Sequence, residues 1–450
     1  MIKLDGTAPA LEYAQWAVES ALRAGATQAE ATISINDRFS TEARDRAITK
    51  LEQSTGRSLH LRVFVDGRKA TLASSDFERS AVEEAVATAV SQARHVAADP
   101  YAALPEDSRR DARAEREFEL FSADVAGRDA QSKVDEAIEL EARMRALDSR
   151  ISNSNGSHVG DTVSTVALAN SNGFAGAYRA TRVHRSASPV ALDGETKRMG
   201  AYGSAARRLM DMETAAEVAE KAVDRTVGLF GARKPQTMRV PVLFERDVAA
   251  SVLSDVFSAL SAANVAVGNS WLAERIGTRI GSEYVTIVDD GTLPGLLGTA
   301  PFDGEGVPTR RTAVFERGEL RTFLYDTYYA RKLGGRSTGN GSGGGVSPNN
   351  FYLEAGALSL DEIVAQTKRG VLVMDTIGFA TEYASGTYSR GARGYYIENG
   401  EIAYPIEEFT IAGTFPEMLA GIDLVANDLR FDAAVVSPSF RVAEMTVSGD

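Results

Sequence analysis

The chain of 450 residues contains no cysteine and only four histidines. Without thiols there can be no disulfide, no thiolate metal ligand and no cysteine nucleophile. His60, His95, His158 and His184 are scattered, and none lies within a helical turn of another. Single scattered histidines do not make a metal site, and a Ser-His-Asp triad would have to recruit one of these four. The G-x-S-x-G elbow and the phosphate loop G-x-x-x-x-G-K-[ST] are both absent. No apolar run approaches the roughly 20 residues of a membrane span. The opening MIKLDGTAPALEYAQW has no basic segment followed by an apolar one, so a secretory signal is not expected. The net charge of −13 is a poor match for a phosphate backbone. These absences predict a soluble, cytoplasmic protein that binds neither nucleic acid nor membrane.

What is present is a globular composition, 44% hydrophobic, long enough for two or three domains. Leu11, Ala14, Val18 and Leu22 recur at helical spacing over residues 9 to 24, with Gly25 as a stop. Leu59, Leu61, Val63 and Val65 then alternate with polar residues, and Asp66-Gly67 reverses the chain. A helix over 76 to 96 completes an N-terminal α+β unit, residues 1–98. Residues 99–130 read as a charged linker. Residues 131–235 read as a strand meander flanked by helices near 132–147 and 212–230, with Asn172-Gly173 as one turn. Residues 236–450 read as a larger β-rich domain with interspersed helices, opened by a strand at 239 to 244 and a helix over 246 to 263. The fold class expected is therefore α+β: N-terminal helix and antiparallel-sheet units followed by this C-terminal domain.

Residues 385 to 413 carry the strongest local signal. A glycine-bearing strand with Tyr388, Gly391, Gly394, Tyr395 and Tyr396 leads to Asn399-Gly400, and a second strand returns through Ile402 and Tyr404. Asn-Gly between apolar runs specifies a tight hairpin because both residues tolerate positive φ. Glycine inside a strand often marks a close approach of another backbone. On that basis Tyr388, Ser389, Arg390, Gly391, Gly394 and Tyr395 are the candidate peptide-binding residues. A tightly packed internal sheet is the alternative explanation of the glycines. Arg390 could meet a peptide carboxylate, and an exposed salt bridge is its simpler role.

The same segment is similar to the C-terminal signature of the PmbA/TldE branch of the TldD/PmbA family, once called modulators of DNA gyrase. Further blocks fit in order: Pro301-Phe302-Asp303-Gly304-Glu305-Gly306-Val307 with Arg310-Arg311, Ala330-Arg331-Lys332-Leu333-Gly334 with Ser337-Thr338-Gly339, and Glu408-Phe409-Thr410-Ile411-Ala412-Gly413. TldD relatives are zinc peptidases with H-E-x-x-x-H on a helix and a downstream cysteine ligand. Here Phe244 and Ala249 would stand where the histidines belong, and Glu245 is the possible remnant of the catalytic glutamate. Loss of the ligands is typical of the PmbA/TldE branch. The resemblance implies a non-catalytic subunit that binds no cofactor itself. It would pair with a zinc-bearing TldD-like partner, hold unfolded or leader peptides in an inter-subunit channel, and present them for cleavage.

Asp289-Asp290 and Asp303-x-Glu305 are the candidate oxygen-donor sites for Mg²⁺ or Ca²⁺. The preferred reading is that Asp303 and Glu305 pair with Arg310 and Arg311 or cap backbone amides. The stretch 334 to 350, with Gly343 and Gly344, reads as a mobile surface loop or as the lid of a peptide site. The competing function is a homodimeric peptide-binding scaffold that cuts nothing. A gyrase modulator acting through a protein partner is a third.

Overall fold

A computed structural model describes residues 6–106, 117–378 and 381–449. The architecture is α+β, built on three sheets. Within the expected linker Leu104 packs on Phe64 and Phe118 packs beside Leu120, while residues 107–116 lie outside the described ones.

The first sheet runs from Gln28–Arg44 outward in both directions. On one side it continues through Ala47–Val65 and Arg68–Ser74, on the other through Ile151–Asn170, Ala175–Asp193 and two short strands. The first and second expected units therefore share one sheet through the pairing of Gln28–Arg44 with Ile151–Asn170. Asp66 and Gly67 make the predicted turn at positive φ. The helix Thr7–Arg23 packs on this sheet through Ala10, Ala14, Ala17 and Ala21, all fully buried, whereas Leu22 is exposed. Of the residues that the spacing singled out, Ala14 and Val18 are buried, Leu11 is half-buried and Leu22 faces solvent, and the added alanines let helix and sheet approach closely. The helix Ala130–Ala146 likewise buries Ala137, Leu140 and Met144, and Leu147 is left exposed.

The C-terminal part is organised around a closed ring of five strands. Arg369–Ile377 pairs in parallel with Met238–Phe244, which pairs with Phe440–Ser448. That strand meets Glu401–Thr414, which pairs with Thr387–Glu398, and Thr387–Glu398 returns to Arg369–Ile377. Closure leaves no open edge around the ring. Its apolar face, including Val242, Phe244, Val371, Val373, Tyr388 and Ile411, shares one core with the helix Arg246–Leu260. A smaller sheet with Ile287–Asp290 at its centre completes the domain. The glycine- and serine-rich stretch leads into one of its strands, Phe351–Leu353.

Candidate functional site

Asn399 and Gly400, both at positive φ, form the predicted hairpin turn between Thr387–Glu398 and Glu401–Thr414. The strand Thr387–Glu398 is not an edge. Its second side is occupied by Arg369–Ile377 and, at its start, by Thr381–Glu382. A peptide cannot add alongside it, which corrects the expectation of strand addition at Gly391 and Gly394.

The glycines differ from each other. A Cβ on Gly394 would lie 1.9 Å from the Leu372 carbonyl oxygen, at a bulge where Met374 is skipped in the pairing. Gly394 thus answers to close approach within the chain's own ring. A Cβ on Gly391 would be 3.4 Å from the Ile377 oxygen, an ordinary contact. Tyr388, 1% exposed, lies among Phe244 and Phe415 in the core, out of a peptide's reach. Burial raises its hydroxyl pKa. Arg390 is not exposed either. It donates to Asp255 at 2.9 Å and Thr381 at 3.0 Å, and also to the Gly378 carbonyl. Asp255, on Arg246–Leu260, further accepts from Tyr383 at 3.1 Å. This cluster was not found in the sequence, because 135 residues separate Asp255 from Arg390 and no local spacing joins them.

The opposite, half-buried face of the strand carries Ser389, Gly391, Arg393 and Tyr395 by alternation. Arg393 and Tyr395 open onto a pocket of about 530 Å³. Met199, Leu229, Val248 and Met374 supply its apolar wall, and the ion pairs Arg225–Asp247 and Arg393–Asp375 its polar groups. The first sheet, the helix Ala215–Val227, the helix Arg246–Leu260 and the ring all contribute to it.

Glu245, the suggested catalytic remnant, is the N-cap of Arg246–Leu260. It accepts the Asp247 amide at 2.9 Å and pairs with Arg225 at 2.8 Å. Burial, then the adjacent Asp247 charge, pushes its pKa up. A carboxylate so engaged serves helix capping. The metal that the family implies does not fit these residues. Histidine and cysteine are absent from 237–449. The buried acid on the helix, Asp255, already holds a guanidinium and two hydroxyls, a hard-oxygen setting unlike the nitrogen and sulfur donors zinc favours.

Asp303 and Glu305 take separate roles. Asp303 accepts three backbone amides, from Glu305, Val307 and Gly341, at 2.7 to 2.9 Å. Burial and the neighbouring Glu305 charge push its pKa to about 8. Glu305 accepts the Thr327 amide at 2.8 Å, and its arginine partner is Arg62 of the first sheet at 3.0 Å. Arg310 and Arg311 instead reach the Ser337 carbonyl and Glu354, which corrects the expected local pairing. Arg62 also holds Glu30 at 2.6 Å. Even so, burial outweighs that pair and pushes Glu30 to about 7. Asp289 is fully buried and accepts Asn340 and Asn349 at 2.8 Å each, while Asp290 accepts Thr292. The stretch 334 to 350 is thereby tied to Asp289 at Asn340 and Asn349, on either side of its tip. Gly343 and Gly344 at its tip line a pocket of about 390 Å³ with Arg62, Glu305 and Asp326.

Three family models match in order: the PmbA/TldA metallopeptidase domain 1 at residues 29–93, the central domain at 124–230 and the C-terminal domain at 237–449. Metalloprotease PmbA of Escherichia coli is 30% identical over 430 residues, covering 94% of this chain and 92% of that one. A Haemophilus influenzae homolog of PmbA is also 30% identical, covering 97% and 95%. Among solved structures, a Bacteroides thetaiotaomicron protein described as a modulator of DNA gyrase superposes with a TM-score of 0.91 at 26% identity, covering 98% of both chains. TldE of Thermococcus kodakarensis shares the fold, with a TM-score of 0.88 at 21% identity over 97% of this chain and 100% of that one.

Proposed function

The chain belongs to the PmbA/TldD metallopeptidase family, and from that premise we propose that it is the non-catalytic subunit of a two-subunit peptidase. It holds peptides for a zinc-bearing TldD-like partner and binds no metal itself. The observation that carries this reading is the helix Arg246–Leu260 beside the ring. It bears no imidazole, and its buried acid Asp255 is bound by Arg390. Its other acid, Asp247, is paired with Arg225. The peptide would lie in the pocket bordered by Tyr395 and Arg393, where apolar wall and paired charges accept mixed side chains. Ser389 and Gly391 extend the same face, whereas Tyr388, Arg390 and Gly394 support it from within.

The test is to purify the chain alone and together with a TldD-like protein carrying H-E-x-x-x-H and a C-terminal cysteine. Metal analysis and cleavage of unfolded peptides follow. Cleavage is expected only in the mixture, abolished by EDTA, with zinc in the partner alone. Stoichiometric zinc or EDTA-sensitive cleavage in the solitary chain overturns the reading. Peptide binding without cleavage in any mixture favours the homodimeric scaffold.

A further inference from the structure

Arg207 follows the short strand Tyr202–Ala206 and is only 6% exposed. Its guanidinium donates to four backbone carbonyls. Nε reaches Leu296 at 2.8 Å and Nη1 reaches Thr181 at 3.3 Å, while Nη2 reaches Leu297 at 3.1 Å and Thr299 at 2.9 Å. A guanidinium carries five N–H donors, so one on Nη1 is left over. Buried charges are ordinarily paired, yet no carboxylate bonds to Arg207 among the described residues. Burial, with the further cation Arg182 nearby, pulls its pKa down to about 10.

Arg207 lines a pocket of about 450 Å³ between the first sheet and loops of the C-terminal domain. The sheet supplies one wall. Ser34, Val166 and Tyr178 form one cross-strand row, and Asn36, Ser164 and Ala180 form the next on the same face. Asn36 Oδ1 accepts the Ser164 hydroxyl at 2.7 Å. The Asn36 NH2 group and the hydroxyls of Ser34 and Tyr178 have no side-chain or backbone partner among the described residues. Burial raises the Tyr178 pKa and the Arg207 charge opposes it, so these two groups lie close together. Asp303 is the one acid in the wall. Its two oxygens are taken by backbone amides, and burial favours its neutral form.

We propose that this pocket binds a carboxylate, with Arg207 Nη1, the Tyr178 hydroxyl and the Asn36 amide as its donors. One cation and a few neutral donors suit a single charge spread over two oxygens better than a phosphate dianion. The volume admits more than a lone carboxylate. The C-terminal carboxylate of a held peptide is the source that the proposed function supplies. That choice of source rests on the peptide-holding reading, whereas the carboxylate site does not.

Calorimetric titration and thermal unfolding of the chain purified alone, at constant ionic strength, test the idea. The probes are N-acetyl-trialanine as the free acid, the same peptide as its C-terminal amide, propionate, inorganic phosphate and chloride. The free acid should bind and raise the melting temperature, and the amide should do neither. Tyr178→Phe keeps the ring against Phe302 and removes the donor, so it should melt as the wild type does and bind the free acid about tenfold more weakly. Asn36→Ala should weaken binding similarly. These variants carry the test, because Arg207→Met also releases four carbonyls. Binding of propionate with no advantage for the peptide acid supports the site and assigns it to a small free acid. Equal effects of chloride or phosphate, full binding by Tyr178→Phe, or no carboxylate bound below about 10 mM overturns the proposal. None of these outcomes touches the mixed-subunit cleavage assay, so the two readings fail separately.

Discussion

Gly394 lies directly beneath the carbonyl of Leu372, with 1.9 Å between that oxygen and the place a Cβ would occupy. The neighbour is backbone in a closed ring, so it cannot rotate away. Gly394→Ala should cost about 3 kcal/mol of stability or more, as overpacking against fixed atoms does. Gly391→Ala should stay within about 1 kcal/mol, because its site offers ordinary contact distances. Urea unfolding of the two variants checks this, and equal effects at both positions would refute the distinction.

Arg390 and Asp255 are 14% and 10% exposed and rely on each other for charge compensation. Removing either partner alone strands the other, and Arg390→Met or Asp255→Leu should each cost about 3 kcal/mol. The double variant should recover much of that loss. A double-mutant cycle by thermal or chemical unfolding measures the coupling, and additive losses would show that the pair is not the unit described.

Glu30 titrates near 7 in the folded chain, against an ordinary value of 4.5. Between those two values the folded state keeps a proton that the unfolded state has lost. The resulting stabilisation is complete below 4.5 and disappears as pH rises through 7. Glu30→Gln removes this dependence, so wild-type stability minus variant stability should fall by about 3 kcal/mol between pH 4.5 and pH 8. Arg62 and Glu305 face Glu30 in both proteins. Denaturation at the two pH values provides the comparison, and a difference independent of pH would count against it.

Asp289 anchors Asn340 and Asn349 on the two sides of the glycine- and serine-rich turn. Asp289→Leu should leave those amides unpaired and loosen residues 341 to 346 first. Limited proteolysis should then cut within that segment, while the intact protein resists there at the same protease dose.

Local order was plain in the sequence. The Asn399-Gly400 and Asp66-Gly67 turns, the strand before residue 245 and the helix after it follow from residue type and spacing. The family blocks around Asp303 and Gly394 were equally visible. The partners of those blocks were not. Nothing near Arg62 announces Glu305, 243 residues away, and nothing near Gly394 announces that Arg369–Ile377 already lies beside it. A strand's alternation reports which face is buried, not whether its edges are filled. For that reason the glycines suggested an invited peptide, although Gly394 is required by the chain's own backbone.

The ring of five strands closes between Met238–Phe244 and Phe440–Ser448, segments about 200 residues apart in the chain. During synthesis the first of these leaves the ribosome long before the second exists. Until Phe440–Ser448 arrives, Met238–Phe244 and Glu401–Thr414 each keep a bare side on which a neighbouring nascent chain can pair. A slower ribosome over the codons for residues 350 to 448 should lengthen that interval and raise the share lost to aggregates, even though the finished molecule is unchanged.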